Sequence, residues 1–279
     1  MASLMIQGTS SGAGKTTLVT ALCRAFSNKG FSVAPFKSQN MSNFSYIGKD
    51  FEISRAQAIQ ALAARCEITP DLNPILLKPL GNYYSNVFVH GKKLKKMHAT
   101  EYYSKFVRTT GIKLAVNSLS NLQKNYDLVI LEGAGSPAEI NLEKFDIANM
   151  KMAEKAKSPV LLITDIDRGG SFASIVGTLS LLDKKYQKLI KGFVINKFRG
   201  DVSILKPGFK KIQEKTKRPI LGAIPMADFD IPEEDSLNTN PKKLSWTKKN
   251  IEKLDIEIEK LTKLVVKNLN MKEIERMIK

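Results

Sequence analysis

The chain contains very little cysteine and histidine. Its 279 residues include only two cysteines and two histidines. Two cysteines cannot form the dense disulfide framework of small secreted proteins, so Cys23 and Cys66 are expected to be buried free thiols in a reducing compartment. We therefore expect a cytoplasmic protein.

Long apolar runs are also missing. No stretch of 18 or more apolar residues occurs, so no segment is expected to span a membrane. The first residues lack the basic region and long apolar stretch of a signal peptide, and none is expected. A hydrophobic content of 43% over this length is enough for one large α/β domain or a domain with an appendage.

Acidic residues are scarce relative to basic ones. There are 44 Lys and Arg against 27 Asp and Glu, a net charge of +17. Such an excess indicates either a nucleic-acid or membrane partner, or a lysine-rich surface. The lysines are spread along the whole chain, and no zinc-finger, RNA-binding or helix-turn-helix pattern accompanies them. We expect neither a nucleic-acid nor a membrane partner.

Short apolar runs alternate with helical patterns, which is typical of βαβ units and a parallel sheet. The predicted strands are residues 4–7, 32–36, 128–131, 160–164, 192–195 and 220–224. Helices are predicted over 15–28 and 54–66, with a loop over 70–79, an edge ribbon over 86–90 and one or two helices ending near Lys124. The polar residues after Asp228 predict a linker, followed by a helical tail over 251–279. We divide the chain into a synthetase domain, 1–230, and a linker with its tail, 231–279.

The strongest local signal is a glycine-rich loop, Gly8-Thr-Ser-Ser-Gly-Ala-Gly-Lys-Thr16, between a predicted strand and a predicted helix. Its glycines let backbone N–H groups face phosphate oxygens, and the helix N-terminus adds a favourable dipole. Lys15 is expected to reach the β- and γ-phosphates of ATP, and Thr16 to bind Mg²⁺. The expected ATP-binding residues in the loop are Thr9, Ser11, Gly12, Ala13, Gly14, Lys15, Thr16 and Thr17. The motif predicts a three-layer P-loop NTPase fold.

This loop departs from the usual P-loop spacing. The usual pattern has glycine at position 9, but Thr9 stands there and the glycine is Gly8. Position 10 is Ser10, so the additional lysine that marks the MinD-type branch is absent.

Two further strand ends carry candidate groups. Glu132 closes an apolar strand, where it is predicted to be catalytic and a second Mg²⁺ ligand beside Thr16. The alternative is a carboxylate that only caps a turn. Asn196 ends a later strand, where its amide is predicted to bind the adenine edge, and Pro225 ends the next strand and is predicted to form the other wall.

Polar segments follow other predicted strands, at 37–41, 136–141, 146–150 and 165–170. The carboxyl ends of parallel strands meet at one edge of a sheet, so these segments predict a substrate cleft beside the phosphate loop. The alternative is that their Asp and Asn residues only cap helices and turns.

These segments together resemble the cobyric acid synthase family. The matching stretches are QGTSSGAGKTTLVTALCR, APFKSQNMS, ISRAQAIQALAA, NPILLKP, EGAGSPAEINL, DIANM, DIDRGGSFASIVGTL and KGFVINKFRGD, in order over most of residues 4–230. The synthetase part of that family resembles dethiobiotin synthetase, which has the same longer phosphate loop. The resemblance implies a dethiobiotin synthetase-like fold.

The resemblance also implies a reaction. It is the ATP- and Mg²⁺-dependent amidation of carboxylates b, d, e and g of adenosylcobyrinic acid a,c-diamide, through acyl phosphates, in cobalamin biosynthesis. Asp146 is the implied essential residue on the acceptor side, and acts with Lys15 and Glu132. Candidate substrate-binding residues are Lys37, Gln39, Asn40, Glu139, Asn141, Asn149, Asp165, Asp167 and Arg168.

The resemblance implies a C-terminal glutaminase domain with a Cys nucleophile and a His base. Neither Cys23 nor Cys66 lies in a nucleophile-elbow context, and His90 and His98 are the only histidines of the 279 residues, so we expect no glutaminase site among these residues. Three alternatives stay open: a separate glutamine amidotransferase subunit supplies ammonia, free ammonia is used, or amidation is lost. The tail over 251–279 resembles the connector before the glutaminase, and it is also a candidate docking site for such a subunit. A homodimer is a further candidate assembly.

Two other functions compete with amidation. One is dethiobiotin synthetase-like ring closure with CO₂, against which the QNM, EGAGSPAEINL and DIDRGG segments argue. The other is a ParA-like regulatory ATPase, against which Ser10 and the polar acceptor segments argue.

Overall fold

The strands of the described residues form one large and two small sheets. The structure is a computed structural model that describes residues 2–232, 234 and 244–278. Its strands are β1 (Ala2–Gly8), β2 (Val33–Phe36), β3 (Gln39–Met41), β4 (Ser45–Ile47), β5 (Glu52–Ser54), β6 (Ile75–Gly81), β7 (Tyr84–Val89), β8 (Lys92–His98), β9 (Leu128–Glu132), β10 (Val160–Asp165), β11 (Ile190–Phe198) and β12 (Ile220–Pro225).

Helices separate most of these strands. They are α1 (Lys15–Asn28), α2 (Arg55–Ala64), α3 (Ala99–Glu101), α4 (Ile112–Asn125), α5 (Met150–Ala156), α6 (Ser171–Leu181), α7 (Lys184–Gln187), α8 (Lys206–Thr216), α9 (Lys248–Asn268) and α10 (Met271–Met277). A π-helical segment, Tyr102–Gly111, joins α3 to α4. None of the described helices combines the length and the apolar character that crossing a membrane requires.

The large sheet is parallel and has helices on both faces. Its strand order is β12-β11-β10-β1-β9-β2. Alternate side chains of a strand point to opposite faces, and β1 follows this rule. Leu4 and Ile6 belong to the core layer that includes residues of α1, α9 and α10, whereas Met5 belongs to the layer that includes residues of α4, α5, α6 and α8. The predicted three-layer α/β fold with a mainly parallel sheet is confirmed.

The region between α2 and α4 departs from the prediction. The loop expected over 70–79 is wrong for its second half, because β6 begins at Ile75 and pairs with both β3 and β7. The prolines at 70, 74 and 79 favour a loop in the sequence, although the short apolar run between them, Ile75 to Leu77, is buried as part of a strand. The ribbon over 86–90 is a strand, β7, but it lies between β6 and β8 rather than at an edge.

The C-terminal helices pack on the domain. Buried residues of α9 face α1, and Arg24 of α1 pairs with Asp255 of α9. The bridge between Gly222 and Leu269 joins β12 to the residue after α9. Glu233, Asp235 and Pro241 of the predicted linker lie outside the described residues, and the boundary at 230 stays a prediction.

Candidate active site

The phosphate loop connects β1 to α1 at the carboxyl edge of the large sheet. Gly12 and Gly14 have φ of +71° and +100°, in the left-handed region that favours glycine. Thr9 Oγ1 donates to Thr164 Oγ1 at 2.9 Å, and Asn196 Nδ2 donates to the Ala13 carbonyl at 2.9 Å. Neighbouring strand ends therefore hold the loop in place.

Lys15 is buried and points across the mouth of this loop. Its Nζ donates to the Ser10 carbonyl at 2.9 Å and to the Gly135 carbonyl at 2.8 Å. Burial lowers the pKa of Lys15 to about 8, although the carboxylate of Glu132 acts in the opposite direction. The ammonium can exchange these neutral carbonyls for phosphate oxygens, which are stronger acceptors.

Glu132, at the end of β9, is the centre of a buried polar cluster. It accepts hydrogen bonds from Lys37 Nζ at 2.9 Å, Gln60 Nε2 at 2.6 Å and Thr16 Oγ1 at 2.8 Å. Burial alone would lower the pKa of Lys37, but the carboxylates of Glu132 and Glu234 outweigh it and raise the pKa. Lys37 is therefore charged at every physiological pH.

Thr16 and Glu132 fit the oxygen ligands of a magnesium ion. For Mg²⁺–oxygen distances of 2.0–2.1 Å, adjacent ligands of an octahedron are about 2.9 Å apart. The 2.8 Å between Thr16 Oγ1 and Glu132 Oε1 agrees with that spacing. Among the described residues, no group of three or more His, Cys, Asp and Glu could hold a metal by itself. Phosphate oxygens would have to complete the coordination.

Two amide side chains on α2 are hydrogen-bonded to the polar cluster around Glu132. Asn40 Nδ2 donates to Gln57 Oε1 at 2.9 Å, and Gln57 Nε2 donates to Gln60 Oε1 at 3.3 Å. Gln60 in turn reaches Glu132. Asn40, a predicted substrate contact, is thus also the first member of a relay that orients the carboxylate.

A cavity of about 480 Å³ opens from the phosphate loop. Of the predicted residues, the cavity is lined by Ser11, Gly12, Lys15, Lys37, Gln39, Asn40, Glu139, Asp146 and Asn149. Its other wall is largely apolar and aromatic, from Tyr103, Leu142, Phe145, Leu182 and Tyr186. The cavity therefore joins a phosphate site to a wall suited to the body of an organic molecule.

Asp146 and Asn149 shape the acceptor end of this cavity. The Asp146 carboxylate accepts backbone hydrogen bonds from Ala148 at 3.0 Å, Asn149 at 2.7 Å and Lys151 at 2.9 Å. Asn149 exchanges two hydrogen bonds with the backbone of Ala134. Its Oδ1 would lie 2.6 Å from a Cβ at position 133, so only glycine fits there. Asp146 therefore makes the turn-capping contacts of the alternative, whereas the side chain of Asn149 makes no helix-cap hydrogen bond. Both residues also line the cavity.

Other predicted residues lie elsewhere on the same edge. Asn141, Asp165, Asp167 and Arg168 are not among the described residues that line the cavity. Asp165 forms an ion pair with Lys197 at 2.8 Å, and Asp167 forms one with Arg199 at 2.8 Å. The Nζ of Lys197 also donates to the Gly12 carbonyl. Thr17 is exposed on α1, and Pro225 ends β12, the edge strand beyond Asn196. Their contacts with substrate or nucleotide stay predictions.

Sequence reasoning missed three contributors to the site. Gln60 lies in a helix whose spacing of apolar residues predicts only a core-facing surface. The glutamine three residues earlier, Gln57, is a sequence signal for a polar face on the same helix. Tyr103 lies in a region that was difficult to assign. Glu234, in the predicted linker, places Oε2 2.7 Å from Thr16 Oγ1.

Comparison with known proteins places the chain in a family. The family model described as the CobQ/CobB/MinD/ParA nucleotide binding domain matches residues 4–238. The chain belongs to this family. Its similarity to cobyric acid synthases, inferred from the sequence motifs, is confirmed by curated relatives.

Several curated relatives bear the name probable cobyric acid synthase. One from Thermococcus onnurineus is 53% identical over 86% of this chain and 49% of its own length. One from Methanococcus maripaludis is 49% identical over 94% of this chain and 53% of its own length. The chain thus spans about half the length of these relatives.

One solved structure gives a distant match. The signal recognition particle receptor FtsY of Elizabethkingia anophelis aligns at a TM-score of 0.47 and 15% identity, over 92% of this chain and 65% of that one. At this distance the match says nothing about function.

Proposed function

We propose that the chain is the ATP-dependent synthetase part of a cobyric acid synthase. It would amidate peripheral carboxylates b, d, e and g of adenosylcobyrinic acid a,c-diamide in the cytoplasm. The observation that carries this proposal is the cavity that extends continuously from Lys15 and the phosphate loop to Asp146 and an aromatic wall. Such a cavity can place a triphosphate tail beside the carboxylate arm of a larger organic acid.

The chemistry needs activation of the acid. A carboxylate is inert toward ammonia near neutral pH. In the proposed reaction a carboxylate oxygen attacks the γ-phosphorus of ATP, the bond to the bridging oxygen breaks, and ADP leaves. Ammonia then attacks the acyl carbon, phosphate departs with the former carboxylate oxygen, and one proton from nitrogen is released to solvent. The products are the amide, ADP and phosphate.

The roles of the protein follow from its charges. Lys15 would leave its carbonyl partners and bind the transferring phosphoryl group, where negative charge spreads in the transition state. Lys37, fixed by Glu132, would keep a second positive charge at the same place. Mg²⁺, held by Thr16 and Glu132, would neutralise phosphate charge. The remaining contribution is positioning the two reactants in contact.

The acceptor half of the cavity suits a large acid with an apolar body. Gln39 lines it and accepts a hydrogen bond from the buried Tyr102 hydroxyl at 2.7 Å, so its amide is held in one orientation. Asn149 and Glu139 add polar groups at the rim. A corrinoid has an extended ring with amide and carboxylate arms, which matches an aromatic wall with polar groups around it.

The proposal is tested by turnover of ATP with the corrinoid diamide. We expect ADP and amide to form when ammonium is present. The Lys15→Ala variant should show almost no turnover, because it loses several kcal/mol of transition-state stabilisation. Lys191→Ala, at an exposed lysine at the other end of the sheet, is the matched control. ATP hydrolysis that ignores the diamide and ammonium would contradict the proposal.

The nitrogen source is tested in the same assay. Glutamine in place of ammonium should give no turnover by this chain alone, and should give turnover once a glutaminase is added. A glutaminase subunit and a homodimer are proposed partners that rest on the resemblance alone.

A further inference from the structure

The segment after β12 returns to the phosphate site. Met226 donates its backbone N–H to the Phe198 carbonyl at 2.8 Å, and Phe229 and Ile231 pack on the helical layer that contains α1 and α9. Glu234 then meets Lys37, which follows β2 at the opposite edge of the sheet. Eight extended steps span roughly 28 Å, and five strand spacings span roughly 24 Å, so the segment is long enough to cross the whole sheet edge.

Three contacts fix Glu234 there. Its Oε2 lies 2.7 Å from Thr16 Oγ1, its Oε1 accepts from Lys37 Nζ at 2.5 Å, and its backbone carbonyl accepts from Ser42 Oγ at 3.0 Å. Burial alone would raise the pKa of Glu234, but the ammonium of Lys37 outweighs it and lowers the pKa. The carboxylate is therefore ionised beside the phosphate loop.

The position of this carboxylate relative to Thr16 is the informative feature. The Thr16 hydroxyl has one proton, yet carboxylate oxygens of Glu132 and Glu234 lie 2.8 Å and 2.7 Å from it. One hydroxyl can donate to only one of them. Both separations are close to the roughly 2.9 Å expected between neighbouring oxygens around Mg²⁺. A cation at this point would satisfy all three oxygens.

We propose that Glu234 is a third protein ligand of the nucleotide-bound Mg²⁺, beside Thr16 and Glu132. This inference rests on the proposed use of Mg·ATP. The inference gives the segment after β12 a function, because this segment places the carboxylate of Glu234 at the phosphate site.

The test is the affinity of Mn²⁺, measured by electron paramagnetic resonance, for the full chain with ADP. Glu234→Gln keeps the size of the side chain and removes its charge. We expect Mn²⁺ to bind about tenfold or more weakly to the variant in the presence of ADP. With chelator and no metal, ADP should bind the variant as well as, or better than, the wild type, because a negative charge beside the phosphates is gone.

A control separates ligation from a general effect of charge. Asp228→Asn removes the same charge from the same segment at an exposed position. It should keep the Mn²⁺ affinity of the wild type, and thermal melts check that every variant is folded.

The possible outcomes are distinct. Unchanged Mn²⁺ affinity in Glu234→Gln would overturn the inference. ADP binding that tightens both with and without metal would also overturn it, because Glu234 would then be a competitor of phosphate. A wild-type chain that binds no Mn²⁺ with ADP would instead refute the proposed function.

Discussion

Replacement of Gly14 by alanine tests the geometry of the phosphate loop. The backbone at Gly14 has φ of +100°, which costs an L-residue about 1–2 kcal/mol. An added Cβ would lie 2.0 Å from Asn196 Nδ2, so the amide must move and give up its hydrogen bond to the Ala13 carbonyl. That bond contributes about 0.5–1.5 kcal/mol. We expect ADP affinity to fall by a total of about 1.5–3.5 kcal/mol, roughly 10- to 400-fold.

Two comparisons isolate the collision from the backbone strain. Gly12 also has positive φ, at +71°, but a Cβ there meets nothing within 4 Å. Gly12→Ala should therefore show the strain alone. If Gly14→Ala acts by displacing Asn196, then combining it with Asn196→Ala should cost less than the sum of the single variants by about 0.5–1.5 kcal/mol. Calorimetric titration with ADP measures all four. Full additivity, or equal losses for the two glycine variants, would refute the reasoning.

Three further predictions concern Lys15, Asp146 and α9. Burial lowers the pKa of Lys15 to about 8 in the free protein, and bound phosphate favours the charged form, so metal-free ADP affinity should fall about tenfold from pH 7 to pH 9. In the same titrations, Lys15→Arg should make ADP affinity independent of pH over this range. If the pH dependence persists in this variant, a group other than Lys15 causes it. Asp146→Asn should lower amidation about tenfold or more while ADP affinity stays unchanged, and normal amide yield would remove Asp146 from the mechanism. Ile258→Ala, at a fully buried site on α9, should lower the free energy of unfolding by about 2–5 kcal/mol in denaturant titrations, whereas Ile256→Ala, 57% exposed, should change it little. Equal effects would contradict the packing of α9.

The large sheet could be predicted because each of its strands has a local signal. Strands β9 and β10 carry near-continuous runs of Val, Ile and Leu, and β1 carries the short apolar run Leu4-Met5-Ile6, as buried parallel strands do. Strand β6 could not be predicted in the same way. Its pairing with β3 and β7 is decided by tertiary contacts, and the prolines around its apolar residues favour a loop.

The residues of the site also fall into those that could be predicted from the sequence and one that could not. Lys15, Thr16 and Glu132 belong to contiguous motifs at strand ends, and topology brings such ends together. Glu234 has no such motif, because an acidic residue in a polar segment is normally solvated. Its meeting with Thr16 depends on a crossing of the whole sheet edge, and no local pattern encodes that.

The most direct test of the account follows the oxygen atoms of the acid. Corrinoid diamide carrying ¹⁸O in its free carboxylates is incubated with this chain, ATP, Mg²⁺ and ammonium, and the released phosphate is analysed by ³¹P NMR. An acyl phosphate requires that each amidation transfer one ¹⁸O atom from the carboxylate to phosphate. Amide formation with unlabelled phosphate would contradict activation of the carboxylate by phosphorylation.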